Sequence, residues 1–390
     1  EDFININGLD EKYIGYGYED DDFGNRFFKY GGETMEGKIS ILNVMKFAGA
    51  FIAFIIGSGF ATGQEIMQFF TSNGLYSLVS IIISLILFTY FGSTVMSCGF
   101  DYGSLKKYRP YKYFCGNKVG LFYEYFVPVL LFISVIVMIS GAGATLQEYY
   151  GLNYYVGCAM MTILVLIAFL CGLDSLINII GFIGPVIVVF SLIVGFTILV
   201  QNLDGLKNIS QTIMEVNLTK AGGNCVKSGI LYASYNMVSG LFFFTSLGNS
   251  ADTRREAKYG AIVGSLLLMI VILVMNFALL SKINDIYKLS IPTLYFAKSI
   301  SPMFGKVFSI VLLCGIFSTA APNFWTVCDK ISKEGRYNSK IIAIIISILA
   351  FFCGLFPFEK LVANVYPLTG ILGILLFICI FLKQISKRII

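Results

Sequence analysis

Ile56-Gly57-Ser58-Gly59-Phe60-Ala61-Thr62-Gly63-Gln64-Glu65 lies inside an otherwise apolar run from Ile41 to Phe70. A helix crossing a bilayer needs about 20 apolar residues and satisfies its backbone polar groups internally. Three glycines within seven positions, followed by a carboxylate, oppose that pattern in mid-span. Glycine weakens a helix, and unwound backbone at membrane depth persists only where it contacts protein or lines a cavity. Interrupted helices of this kind form substrate and ion sites in many secondary transporters. The competing reading is a small-residue packing face that admits a second helix closely. Thr62, Gln64 and Glu65 add polarity that packing alone does not require, which favours the break.

The whole chain is built for a membrane. Of its 390 residues 57% are hydrophobic and 13% charged, and mean hydropathy is +0.79, outside the range of soluble domains. The net charge of +5 is uneven: residues 1–38 carry ten acids against four bases. A basic remainder on such a chain reflects membrane topology and gives no reason to expect a nucleic-acid partner. With no histidine present, Ser-His-Asp and Cys-His catalysis are excluded. The nine cysteines show no metal-ligand spacing, and no phosphate-binding GxxxxGK[ST] loop occurs. The expectation is a non-enzyme without a prosthetic cofactor. Residues 1–38 read as an acidic, disordered or non-native extension, with Met35 a plausible start, and residues 39–390 as the membrane domain.

Ten apolar segments can be marked, at about 41–70, 75–99, 120–147, 155–172, 176–200, 228–249, 258–280, 303–328, 340–357 and 361–382. With the N-terminus inside, cytoplasmic loops and tail hold fifteen Lys and Arg residues and outer loops eight. Both termini are therefore expected in the cytoplasm.

Five is odd, so segments one to five and six to ten overlay in opposite orientation, as repeat one (about 41–200) and repeat two (about 228–385). Segment six then matches segment one, and Tyr232, Ser234, Tyr235, Asn236, Ser239 and Gly240 place polarity in its middle. Pro185 and Pro367 occupy segments five and ten. Interrupted helices at matching places in two halves point to a binding site between them.

The residues suit a zwitterion. Freed N–H groups near Gly57, Ser58 and Gly59, and the half-helix expected from Thr62, favour a carboxylate. Freed carbonyls favour Na⁺ or an ammonium group. Glu65, about 12 Å along the axis from Gly57 at the helical rise, is a candidate for coupling or gating with Gln64. Lys360 and Asn364 are its candidate partners, and a plain structural hydrogen bond is the alternative. Ser318 and Thr319 in segment eight either complete a sodium cage or bond back to the preceding helical turn.

The stretch Lys46 to Phe70, with Gly57-Ser58-Gly59-Phe60-Ala61-Thr62-Gly63-Gln64-Glu65 intact, resembles the first helix of the YkvI-type bacterial membrane proteins, and the resemblance extends over about 39–390. That family is similar to the amino acid–polyamine–organocation superfamily. The resemblance implies an all-α LeuT-type fold of about ten helices in a 5+5 inverted repeat, with helices 1 and 6 broken. Gly57, Ser58 and Gly59 would match the first unwound helix, and Tyr235, Asn236, Ser239 and Gly240 the sixth. Ser318 and Thr319 would match the hydroxyl pair of a sodium site, and the absence of a lysine in segment five favours Na⁺ over H⁺. The expected function is Na⁺-coupled secondary transport of a small amino acid or related solute in the bacterial plasma membrane. The alternative is a germinant-receptor-like sensor subunit that binds without transporting.

Overall fold

The computed structural model describes residues 39–105, 108–171, 174–207, 209–216, 218–335 and 338–389; the acidic extension assigned to 1–38 lies outside them. Each of the ten apolar segments becomes helix. The first is interrupted twice, giving α1 (Ile41–Ile55), α2 (Ser58–Ala61) and α3 (Gln64–Phe69). After a 3₁₀ turn at Thr71–Tyr76, α4 (Ser77–Leu87) continues through a π-turn at Phe88–Gly92 into α5 (Ser93–Tyr102). Then come α6 (Pro110–Tyr150), α7 (Tyr154–Cys171) and α8 (Asp174–Gln201). A connector carrying α9 (Ile209–Glu215) leads to α10 (Cys225–Asn249) and α11 (Arg254–Ser281). The short α12 (Ile283–Ile286) and α13 (Pro292–Ile300) precede α14 (Pro302–Gly335), α15 (Ser339–Gly354) and α16 (Phe358–Ile389). Among the described residues seven helices are long and apolar enough to cross a membrane, and Ile41–Ile55, Pro185–Gln201 and Ser339–Gly354 are shorter apolar helices. The chain is a multi-pass membrane protein.

Helix contacts come in related pairs. The first segment packs on α8 as α10 packs on α16, and α1 meets α11 as α10 meets α4 and α5. Likewise α6 with α7 is matched by α14 with α15, and α6 with α16 by α14 with α8. The contacts α6–α14, α7–α15 and α5–α11 map onto themselves. A five-plus-five repeat requires this pairing. Pro185 and Pro367 do lie inside the corresponding helices α8 and α16.

Two expectations fail in the backbone. The sixth segment is not broken: α10 runs through Tyr235, Asn236, Ser239 and Gly240 without interruption. Its polar side chains bond back to their own helix. Asn236 Nδ2 donates to the Tyr232 carbonyl at 3.0 Å, and Ser239 Oγ to that of Tyr235 at 3.0 Å. Gly240 serves packing, since a Cβ there would lie 2.5 Å from the Phe54 ring and 2.5 Å from the Phe244 ring. The half-helix expected from Thr62 is instead divided, because Gly63 adopts φ +84°, a left-handed conformation open to glycine. The polar stretch before segment three, read as loop, forms the first turns of α6, with a bend at Gly116 (φ +71°).

α10 is gripped by backbone as well as side chains. Ser234 Oγ donates to the Gly370 carbonyl at 2.7 Å, and a Cβ on Gly373 would collide with the Ser234 backbone carbonyl. Gly373→Ala should therefore lower the unfolding midpoint of detergent-purified protein, by roughly 1–3 kcal/mol for such overpacking. Gly49→Ala, in α1 with nothing within 4 Å of its added methyl, should be neutral or stabilising by about 0.5–1 kcal/mol. An equal loss at both positions would refute the close α10–α16 approach.

Candidate functional site

The double break sets the backbone. Gly57 is extended (φ −97°, ψ −168°), and its N–H donates to the Ile55 carbonyl at 3.0 Å. Ala61 and Thr62 N–H groups reach back to the Gly57 and Ser58 carbonyls at 3.0 and 2.9 Å. At the Ala61 and Thr62 carbonyls, Thr293 at the start of α13 takes over from the ladder. Its Oγ1 donates to the Ala61 carbonyl at 2.6 Å and its N–H to the Thr62 carbonyl at 3.2 Å. The Thr62 hydroxyl satisfies the Gly59 carbonyl at 3.0 Å. Thr62 therefore stabilises the bend from within.

Glu65 folds back over this bend. Its Oε2 lies 2.6 Å from where a Cβ on Gly59 would sit, and Tyr366 Cε2 lies 3.0 Å from the same point. Glu65 is 2% exposed, and among the described residues no donor or cation reaches its carboxylate. The partners expected for it are not used: Asn364 Nδ2 donates to the Lys360 carbonyl instead, and Lys360 is exposed. Tyr366 meets the same Gly59 position as Glu65. Tyr366 also faces Ser58, at a geometry short of a full hydrogen bond. Tyr235 stacks on Tyr366 at 4.9 Å and 18°, and Tyr232 packs edge-on against Phe70 at 4.8 Å. Ser58 Oγ, Glu65 Oε1 and Tyr232 Oη are all buried without a hydrogen-bond partner among the described residues.

Gln64 belongs to a separate layer. It donates to the Leu289 carbonyl at 2.6 Å and accepts from Gln68 Nε2 at 3.1 Å. Gln68 also donates to the Glu359 carbonyl at 3.1 Å. The Glu359 side chain accepts from Ser290 Oγ at 3.1 Å, while Glu148 accepts from the Ser290 and Ile291 N–H groups at 2.6 and 3.0 Å. These bonds tie α3, the end of α6, the segment before α13 and the start of α16 into one cluster.

The remaining hydroxyl and amide candidates bond within their own helices. Ser318 and Thr319 hydroxyls donate to the Gly315 carbonyl at 2.8 and 3.3 Å, the back-bonding alternative, though their helix α14 packs on α2. Asn236, Ser239 and Gly240 are occupied as described above. Sequence reasoning named Tyr232 only among the polar residues of segment six and did not single out Tyr366, which meets the same Gly59 position as Glu65. A tyrosine beside Pro367 in an apolar span was the available signal for Tyr366. Thr293, Glu148 and Glu359 had none, because each is distant in the chain from what it holds.

Comparison with known proteins finds relatives that align over nearly all of their own length. It is 24% identical over 342 residues to the uncharacterized membrane protein YkvI of Bacillus subtilis, covering 87% of this chain and 96% of the relative. It is 25% identical over 345 residues to the uncharacterized protein YyaD of the same organism, covering 88% and 98%. A family model for the N-terminal domain of galactosyltransferase matches residues 1–47, a stretch that stops within α1. Among solved structures, Mhp1, a nucleobase-cation-symport-1 family transporter closed on bromovinylhydantoin, is similar with a TM-score of 0.53 and 15% identity, covering 85% of this chain and 77% of that one. MhsT in complex with L-phenylalanine gives 0.51 and 15%, covering 84% and 87%. A manganese transporter mutant of Eremococcus coleocola gives 0.50 and 12%, covering 85% and 76%. At these identities the likeness shows the fold, which is of the LeuT type.

Proposed function

We propose that this chain is a secondary active transporter that moves a small amino acid or related organic solute, coupled to Na⁺, by alternating access. The observation that carries the reading is the doubly interrupted first segment, whose buried Ser58 Oγ and Glu65 Oε1 have no hydrogen-bond partner among the described residues. Polar backbone and a carboxylate at membrane depth are costly and mark substrate and ion pathways. The paired helix contacts support an inverted repeat of ten crossings, and the loop charges would set both termini in the cytoplasm of a bacterial cell.

The solved relatives in fold are named for an aromatic amino acid, a hydantoin and a manganese ion, so the fold leaves the substrate open. Among the described residues no group of three or more His, Cys, Asp and Glu side chains assembles, which favours an organic solute over a transition metal. Gly57, Ser58, Gly59 and Thr62 on one side, and Tyr235, Asn236, Ser239 and Gly240 on the other, would line the substrate path. Ser318 and Thr319, donating to Gly315, keep lone pairs for a cation shared with carbonyls near Gly57; Na⁺ held there would supply the driving gradient. Gln64 and its hydrogen-bonded cluster close one entrance, and opening requires those bonds to part.

Purified protein in liposomes should accumulate one class of radiolabelled amino acid under an inward Na⁺ gradient and not under K⁺. Ser58→Trp should abolish that uptake while the protein stays monodisperse. Binding without uptake would replace the transporter with a sensor, and neither from folded protein would end the reading. Gly59→Ala should push Glu65 off the bend and lower the unfolding midpoint. In a Glu65→Ala background that loss should shrink, with a coupling of about 0.5–3 kcal/mol for contacting residues; strict additivity would place Glu65 elsewhere.

A further inference from the structure

The start of α6 doubles back on itself at Gly116, where φ is +71°. A Cβ on Gly120 would lie 2.5 Å from Lys112 Cα, and Tyr111 stacks on Tyr123 at 5.5 Å. The reversal brings Arg109 Nη1 within 3.4 Å and Lys112 Nζ within 3.3 Å of Glu124 Oε2. From α14, Lys330 Nζ donates to the Glu124 backbone carbonyl and sits 5.2 Å from the centre of the Tyr125 ring. Lys118 is exposed, and its Nζ has no ion pair or hydrogen bond among the described residues. Arg109, Lys112, Lys118 and Lys330 thus gather around the single carboxylate of Glu124. Counting Asp329, the neighbour of Lys330 in α14, still leaves positive charge in excess.

Beyond Lys118 the same face of α6 turns apolar. A groove of about 460 Å³ is lined by Lys118, Leu121, Phe122, Tyr125, Phe126 and Val129, a spacing of three and four residues that makes one stripe. Phe122 and Phe126 stack at 5.2 Å and 12°, which gives the groove a flat wall. Leu121, Phe122, Tyr125 and Val129 are exposed. Lys118 and Val129 are separated by about 16 Å at the helical rise, close to one leaflet of a hydrocarbon core about 30 Å thick. The geometry points to a binding site for one anionic phospholipid, with its phosphate at Lys118 and an acyl chain along the Phe122–Phe126 wall. A zwitterionic lipid brings its own cation and leaves the excess positive charge uncompensated, whereas an anionic headgroup neutralises it. The aliphatic stem of Lys118 can follow the apolar face while its ammonium stays at the headgroup. Tyr125, an amphipathic ring suited to that level, is held by the Lys330 cation over its face. The site lies on the outside of α6 and does not depend on the transport reading.

The test follows thermal unfolding of the full chain, purified in a non-ionic detergent, at fixed pH and low ionic strength. Phosphatidylglycerol or phosphatidylcholine with identical acyl chains is added stepwise to the micelles. Phosphatidylglycerol should raise the midpoint with a saturable dependence on its mole fraction, and phosphatidylcholine at the same fractions should not. Lys118→Gln should weaken the apparent affinity for phosphatidylglycerol by about fivefold, the loss expected for one basic residue at a membrane surface. Charge reversal in Lys118→Glu should weaken it further. Lys118 is exposed, so both variants should fold like the parent. Lys306→Gln, at the opposite end of α14 and also exposed, should leave the affinity unchanged. Equal stabilisation by the two lipids would overturn the proposal, as would an unchanged affinity in Lys118→Glu. An equal loss in Lys306→Gln would reduce the effect to overall charge and overturn it too. Stabilisation reproduced by inorganic phosphate alone would mark a soluble-anion site and reject the lipid.

Discussion

Thr293 is the tie on which the interrupted first segment depends. A helix broken at membrane depth leaves carbonyls that neither lipid nor its own ladder can satisfy. Here one residue from the far end of the sequence supplies both a hydroxyl and an N–H to the Ala61 and Thr62 carbonyls. Gly63 makes the approach possible: a Cβ there would meet the Thr293 methyl at 2.9 Å. With those carbonyls satisfied, Gln64 to Phe69 can restart as helix and bring Glu65 back against Gly59. Without the tie, the short pieces α2 and α3 have too few internal bonds to hold their directions.

The two halves use the same helix contacts but spend their polarity differently. In the first segment, glycine breaks the ladder and hydroxyls mend it locally, as Thr62 does with Gly59. In α10 the polar residues return to their own carbonyls four residues back, which leaves the ladder intact. Glycines on its partner α16 then allow backbone-to-backbone contact instead of flexibility. One half carries a bent, polar element and the other a continuous, tightly gripped one.

Much of this was legible from residue order. Ten apolar runs became helices within a few residues, because hydropathy and length alone decide which segments a bilayer accepts. The break at Gly57 was legible because three glycines and a carboxylate violate that rule. The unbroken α10 was misread because polar side chains in a span look alike whether they line a gap or bond back to the helix. The neighbour of Glu65 was barely legible. Tyr366 comes to the same Gly59 position from a helix some 300 residues away, and beyond a tyrosine beside a proline a single sequence carries no periodic mark of such a contact.

The cluster around Gln64, Gln68, Ser290, Glu148 and Glu359 has an energetic meaning apart from its geometry. Four segments meet there through five inter-segment hydrogen bonds, with no disulfide, since every cysteine among the described residues is free. Each such bond contributes about 1 kcal/mol net, and somewhat more to a charged acceptor. The total is comparable to the roughly 5.5 kcal/mol that carries a two-state equilibrium from one side to the other. Under the transport reading proposed above, a closure of that size would be firm enough to populate one state and weak enough for differential binding of a small solute to reverse it.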